Sequence, residues 1–111
     1  MNRGYTGYYK GVLLRSSYEY AYARYLDYHG ISWRYEELTY NVGNRQYKPD
    51  FFIYQGRELF EVVEVKQRNP VEIENATALL TQLKQTGSIP ALQVISYLQL
   101  LELYREMPFS L

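Results

Sequence analysis

The chain has 111 residues and a mass of 13.2 kDa, the size of a single domain, and its 47% hydrophobic and 22% charged residues make an ordinary globular balance that excludes fibrous and disordered classes. It has no cysteine and one histidine, His29, so thiolate and His/Cys zinc sites are excluded and any bound metal must take oxygen ligands. Twelve basic residues cancel twelve acidic ones, so no bulk positive charge announces a nucleic-acid partner. The cancellation is uneven along the chain. Residues 1–34 carry Arg3, Lys10, Arg15, Arg24 and Arg34 against Glu19 and Asp27, whereas Glu36, Glu37, Asp50, Glu58, Glu61 and Glu64 gather between Tyr35 and Lys66. Met1-Asn2-Arg3 leads into Gly and Tyr rather than an apolar signal, and no apolar run approaches a membrane span, so the expected location is the cytoplasm of a bacterial or phage-infected cell.

In chain order, the glycine-broken stretch up to about residue 14 reads as an N-terminal arm of one domain covering 1–111. From Ser17 to His29, Tyr18, Ala21, Tyr22, Tyr25 and Leu26 recur at helical spacing, with Ser16 as N-cap and Gly30 as the stop. His29 falls at the helix end, where a cation is favoured. Ile31 to Tyr40 alternates as a strand, Asn41-Val42-Gly43-Asn44 turns the chain, and Tyr47 to Tyr54 resumes as a second strand. A turn at Gln55-Gly56 then leads into a third, Glu58 to Lys66, which is the most apolar. Asn69 caps a second helix with Pro70 in its first turn and Ile73, Ala76, Leu79, Leu80 and Leu83 as its buried stripe. A short strand from Ala91 to Tyr97 and a helix from Leu98 to Glu106 complete the order α-β-β-β-α-β-α. The second helix connects the third and fourth strands as a crossover, which predicts an α/β fold with a mixed four-stranded sheet flanked by helices.

Strand periodicity puts Glu64 and Lys66 on one face, together with Phe60 and Val62. The Gln55-Gly56 turn folds Asp50 back toward the far end of the Glu64 strand, so two carboxylates and a lysine converge at one sheet end. Such a set suits Mg²⁺, which takes oxygen ligands from one or two carboxylates, waters and a substrate phosphate. Glu19 is a third candidate acid, although Ser16 and Glu19 are also spaced as a capping box. Arg15, one turn earlier, approaches either a phosphate or Glu19.

Four segments in register resemble the PD-(D/E)xK nuclease superfamily between about Lys10 and Tyr97. They are Tyr9 to Glu19, Tyr25-Leu26-Asp27 with Gly30 to Glu36, Tyr47-Lys48-Pro49-Asp50-Phe51-Phe52, and Glu64-Val65-Lys66. The branch they look like includes phage homing endonucleases related to very-short-patch repair enzymes, phage head-completion nucleases and endonuclease subunits of heteromeric transposases. The resemblance implies a restriction-endonuclease-like core and a Mg²⁺-dependent DNA endonuclease, with Mn²⁺ as a substitute ion. It further implies that Asp50 and Glu64 bind the metal with the Val65 carbonyl, that Glu19 is an active-site acid, and that Lys66 assists the attacking water. Glu36 matches an acidic position of the branch. Gln67 departs from the Gly common there and would contact the scissile phosphate or narrow the site, and no DNA-reading extension follows the core. Lys10, Arg15, Arg3 and Gln67 are the expected DNA contacts, and cutting a duplex would call for a homodimer or a protein partner. Two alternatives stay open: a nuclease selective for branched DNA or DNA ends, or a nuclease subunit that needs a partner, and a non-catalytic nucleic-acid-binding module whose tyrosines form the contact surface.

Overall fold

The computed structural model describes residues 7–111. Its elements are β1 (Gly7–Tyr9), β2 (Val12–Leu14), α1 (Ser17–Tyr28), β3 (Ser32–Tyr35), β4 (Tyr40–Val42), β5 (Arg45–Tyr47), β6 (Phe51–Gln55), β7 (Glu58–Val65), α2 (Pro70–Gln85), β8 (Leu92–Ile95) and α3 (Tyr97–Tyr104). A mixed four-stranded sheet runs β3-β6-β7-β8, with the first three strands antiparallel in succession and β8 parallel to β7 after the α2 crossover. This is the expected α/β domain of four mixed strands and three helices. No helix among the described residues is long and apolar enough to cross a membrane.

The element order differs from the expected α-β-β-β-α-β-α by two short hairpins outside the main sheet, and local backbone geometry explains both. At Lys10-Gly11 both residues have positive φ (53° and 81°), the two-residue turn that matches strand twist, so residues 7–14 fold as the β1–β2 hairpin where an arm was expected. Arg3, the other part of that arm named as a DNA contact, lies outside the described residues. Downstream, Glu36 takes a left-handed φ of 49° and ends β3 early. The turn read at Asn41–Asn44 therefore closes a separate β4–β5 ribbon, Val42 opposite Arg45, instead of joining two sheet strands.

The central strands are covered on both sides, which is why Phe51-Phe52-Ile53 and Val62-Val63 read as continuous apolar runs. Phe51, Ile53, Val63 and Val65 pack under α1 and α3 with Tyr18, Tyr22, Leu26 and Leu100. Phe52 and Val62 pack on the other face against Leu80 and Leu83 of α2, with Tyr40, Val42 and Tyr47 of the ribbon closing that side. Of the expected α2 stripe, Ala76, Leu80 and Leu83 are buried, while Ile73 and Leu79 are half-buried. Phe60 does not share the face of Val62. A bulge pairs Ile53 with Glu61 but Tyr54 with Leu59, leaving Phe60 as the extra residue. Leu59 then joins the Phe52 cluster, and Phe60 lines a concavity of about 500 Å³ with Tyr22, Leu26 and Glu61 at the α1 side.

One polar junction ties the hairpin to this core. Asp27 accepts hydrogen bonds from the Trp33 indole (2.9 Å) and the Tyr9 hydroxyl (2.7 Å) and pairs with Lys10 (2.9 Å). Burial alone would raise its pKa, but the bonds from Trp33, Lys10 and Tyr9 outweigh it and hold the carboxyl below its ordinary range, while the Tyr9 hydroxyl is pushed up to about 12 by burial and Asp27. Asp27→Ala leaves an indole N–H and a hydroxyl unpaired and should cost about 2 kcal/mol in urea unfolding. A depressed carboxyl stabilises above its unfolded pKa of about 3.9 and loses that contribution as pH falls through the folded value, so the gap from wild type should close in acid. A gap that stays constant between neutral pH and about pH 3 would contradict this assignment.

Candidate active site

The end of the sheet where α1 begins carries the candidate acids, and the pairing register puts them there. Phe51 lies opposite Val63, so Asp50 faces the chain at Glu64. Across that junction the two residues lock reciprocally: the Asp50 N–H donates to Glu64 Oε1 (2.8 Å), and the Val65 N–H donates to Asp50 Oδ2 (2.8 Å). Lys66 Nζ sits 3.5 Å from the other Glu64 oxygen. Glu64 is buried at 4% exposure, with Asp50 and Lys66 in front of it on the wall of a polar cleft of about 770 Å³.

Glu19 enters the cleft from α1. Ser16 caps that helix by accepting the Glu19 N–H (3.1 Å), which is half of the capping box. The carboxylate does not close the other half on Ser16. Its Oε1 instead accepts the N–H of Arg15 and the Tyr35 hydroxyl, both at 2.8 Å, which hold this buried acid in one orientation. The Arg15 side chain pairs with Glu36 (3.1 Å), not with Glu19, and Glu36 is the left-handed residue whose N–H donates to the Asp50 carbonyl (2.8 Å). A strained residue here braces both an arginine of the cleft and the backbone of Asp50.

Electrostatics follow from crowding. Burial, then the neighbouring charges of Glu64 and Glu19, push the Asp50 carboxyl well above its ordinary value, with the Val65 N–H only partly offsetting them. Burial also raises Glu64, opposed by Lys66 and the Asp50 N–H. Tyr47 is a participant that the sequence alone did not single out. Its hydroxyl is buried next to the Glu64 carboxylate without completing a hydrogen bond, and burial and both acids raise its pKa strongly. Tyr35 is likewise raised, by burial and by its bond to Glu19.

No group of three or more His, Asp or Glu among the described residues is already gathered around a single point. The donor chemistry nevertheless fits a hard cation. Among the described residues Asp50 forms no ion pair and Lys66 is the cation paired with Glu64, while Val65 lines the same cleft. Two carboxylates with waters and a phosphate are an ordinary Mg²⁺ set. Of the expected DNA contacts, Arg15 and Gln67 line the cleft, while Lys10 is held by Asp27 away from it. Arg68 and Tyr97 line it as well and were not anticipated.

Relieving the crowding should stabilise the protein. A raised carboxyl pKa favours folding below the ordinary carboxylate range and loses that advantage as pH rises through the raised value. Asp50→Asn keeps an oxygen for the Val65 N–H and removes the charge, so it should gain about 1 kcal/mol at neutral pH and nothing near pH 4, read by thermal unfolding. A loss of stability at neutral pH would contradict the repulsion. Comparison of this chain with models of protein families, with curated proteins and with solved structures finds no match.

Proposed function

We propose that this domain is a Mg²⁺-dependent DNA endonuclease with a restriction-endonuclease-like core. The observation that carries the reading is the reciprocal lock of Asp50 and Glu64, with Lys66 on Glu64 and Glu19 directed into the same cleft. Two acids and a lysine from adjoining strand ends, backed by a third acid from a helix, form the constellation that metal-assisted phosphodiester hydrolysis needs. The mixed sheet with helices on both faces and a helical crossover between the third and fourth strands supports the same fold assignment.

In this reading Asp50, Glu64 and the Val65 carbonyl would hold the ion, with Glu19 beside them. Bound Mg²⁺ would supply a Lewis acid for the phosphate and lower the pKa of a water molecule. The chain's own groups do the remaining work. Lys66, whose side chain is 32% exposed, presents its ammonium to the cleft, where it orients the attacking water and offsets charge on the pentacovalent phosphate. The Tyr35 hydroxyl and the Arg15 N–H fix Glu19 in one orientation, and the Asp50 N–H does the same for Glu64. These bonds keep the carboxylates preorganised.

Asp50→Ala and Lys66→Ala should each lower Mg²⁺-dependent nicking of supercoiled plasmid by about 10³-fold, with a wild-type circular dichroism spectrum. Cleavage unchanged in both variants would remove the assignment. Chelation should abolish nicking and added Mg²⁺ restore it. In calorimetry the wild type should release or absorb heat with Mn²⁺, whereas Asp50→Ala should not. A wild type that binds DNA but gives no metal heat would instead be the non-catalytic module.

A further inference from the structure

Three cations line the cleft, and two of them are matched to carboxylates: Arg15 with Glu36 at 3.1 Å and Lys66 with Glu64 at 3.5 Å. Arg68 differs. Among the described residues it forms no ion pair, although Glu72 lines the same cleft. Its guanidinium lies 4.3 Å over the Tyr97 ring. That ring is itself anchored, edge-on to Tyr18 at 5.7 Å, and the Tyr97 N–H donates to the Gln67 carbonyl at 2.8 Å.

An arginine seated on an aromatic face keeps its N–H donors, because the ring engages the cation through its quadrupole and not through hydrogen bonds. Its planar fork then suits a phosphate, and holding it in place lowers the ordering cost of forming those bonds. The position separates it from the acids. Asp50, Glu64 and Lys66 gather at the β6–β7 strand ends, whereas Arg68 lies beyond Gln67, at the entry to α2 and against the first residue of α3.

We infer that Arg68 is a phosphate seat that binds a backbone phosphate adjacent to the one engaged at Asp50 and Glu64, so the substrate must present at least two consecutive phosphodiesters. The identity of the polyanion as nucleic acid rests on the nuclease reading; the seat itself rests on the unpaired, ring-braced guanidinium. Arg68 thereby grips the strand without taking part in bond cleavage.

The test is binding of the full chain to a short labelled duplex by fluorescence anisotropy, with Ca²⁺ in place of Mg²⁺ so that no turnover is needed. Arg68→Gln should weaken binding about tenfold and lower the slope of log affinity against log salt by about one, while Arg68→Lys recovers part of the loss. An uncharged methylphosphonate in place of one phosphate flanking the scissile position should weaken the wild type and leave Arg68→Gln unchanged. Wild-type affinity and slope in Arg68→Gln would overturn the seat, as would methylphosphonates that weaken both proteins equally at every position. An Arg68 effect in a protein that never nicks DNA would support the seat and overturn the nuclease reading alone. Nicking with no Arg68 effect would overturn the seat alone.

Discussion

Two backbone N–H groups hold the candidate site together. The Asp50 amide is bound by the Glu64 side chain, and the Val65 amide by the Asp50 side chain, so each strand end is closed by an acid from the other. These bonds do structural and electrostatic work at once. They satisfy donors that the ladder leaves open where β6 begins, and they hold Asp50 where burial first, then the charges of Glu64 and Glu19, drive its pKa up. In the proposed function, that crowding is what a bound cation would relieve, at a cost in stability that the unliganded fold bears.

The surroundings serve that crowding. Phe51 and Phe52, buried on opposite faces, anchor β6 between α1 and α2, which leaves Asp50 no freedom to drift from Glu64. Glu36, at positive φ, donates its N–H to the Asp50 carbonyl and holds Arg15, so the turn after β3 sets the position of one acid and one arginine. Fourteen of the 111 residues are tyrosines, and Tyr35 and Tyr47 show one use of them: their rings fill half-buried positions while the Tyr35 hydroxyl bonds Glu19 and the Tyr47 hydroxyl is buried beside Glu64.

Strand periodicity and one tight turn made it legible in the sequence that Asp50, Glu64 and Lys66 gather at one sheet end, but not the register in which they meet. Gly56, with φ of 61°, allows the two-residue turn after Gln55, but that turn alone would set Asp50 opposite Val63; the extra residue at Phe60 shifts the pairing by one and brings Asp50 to face Glu64. Helix ends were legible for the same local reason, since Ser16 and Asn69 both cap as their side chains permit. Tertiary detail was not. Nothing in the alternation of residues 58–65 signals the bulge that turns Phe60 to the α1 side. The left-handed Glu36, which separates β3 from the β4–β5 ribbon, is a non-glycine that local patterning does not mark. Arg68 escaped notice because its role depends on Tyr97, a partner that only the fold brings near.

The most direct trial of the account is a crystal soaked in Mn²⁺ and measured at the manganese absorption edge. An anomalous peak within coordination distance of both Asp50 and Glu64, on the Lys66 side of the cleft, is the predicted result. A fully soaked crystal with no peak there, or with manganese bound only elsewhere, would contradict it.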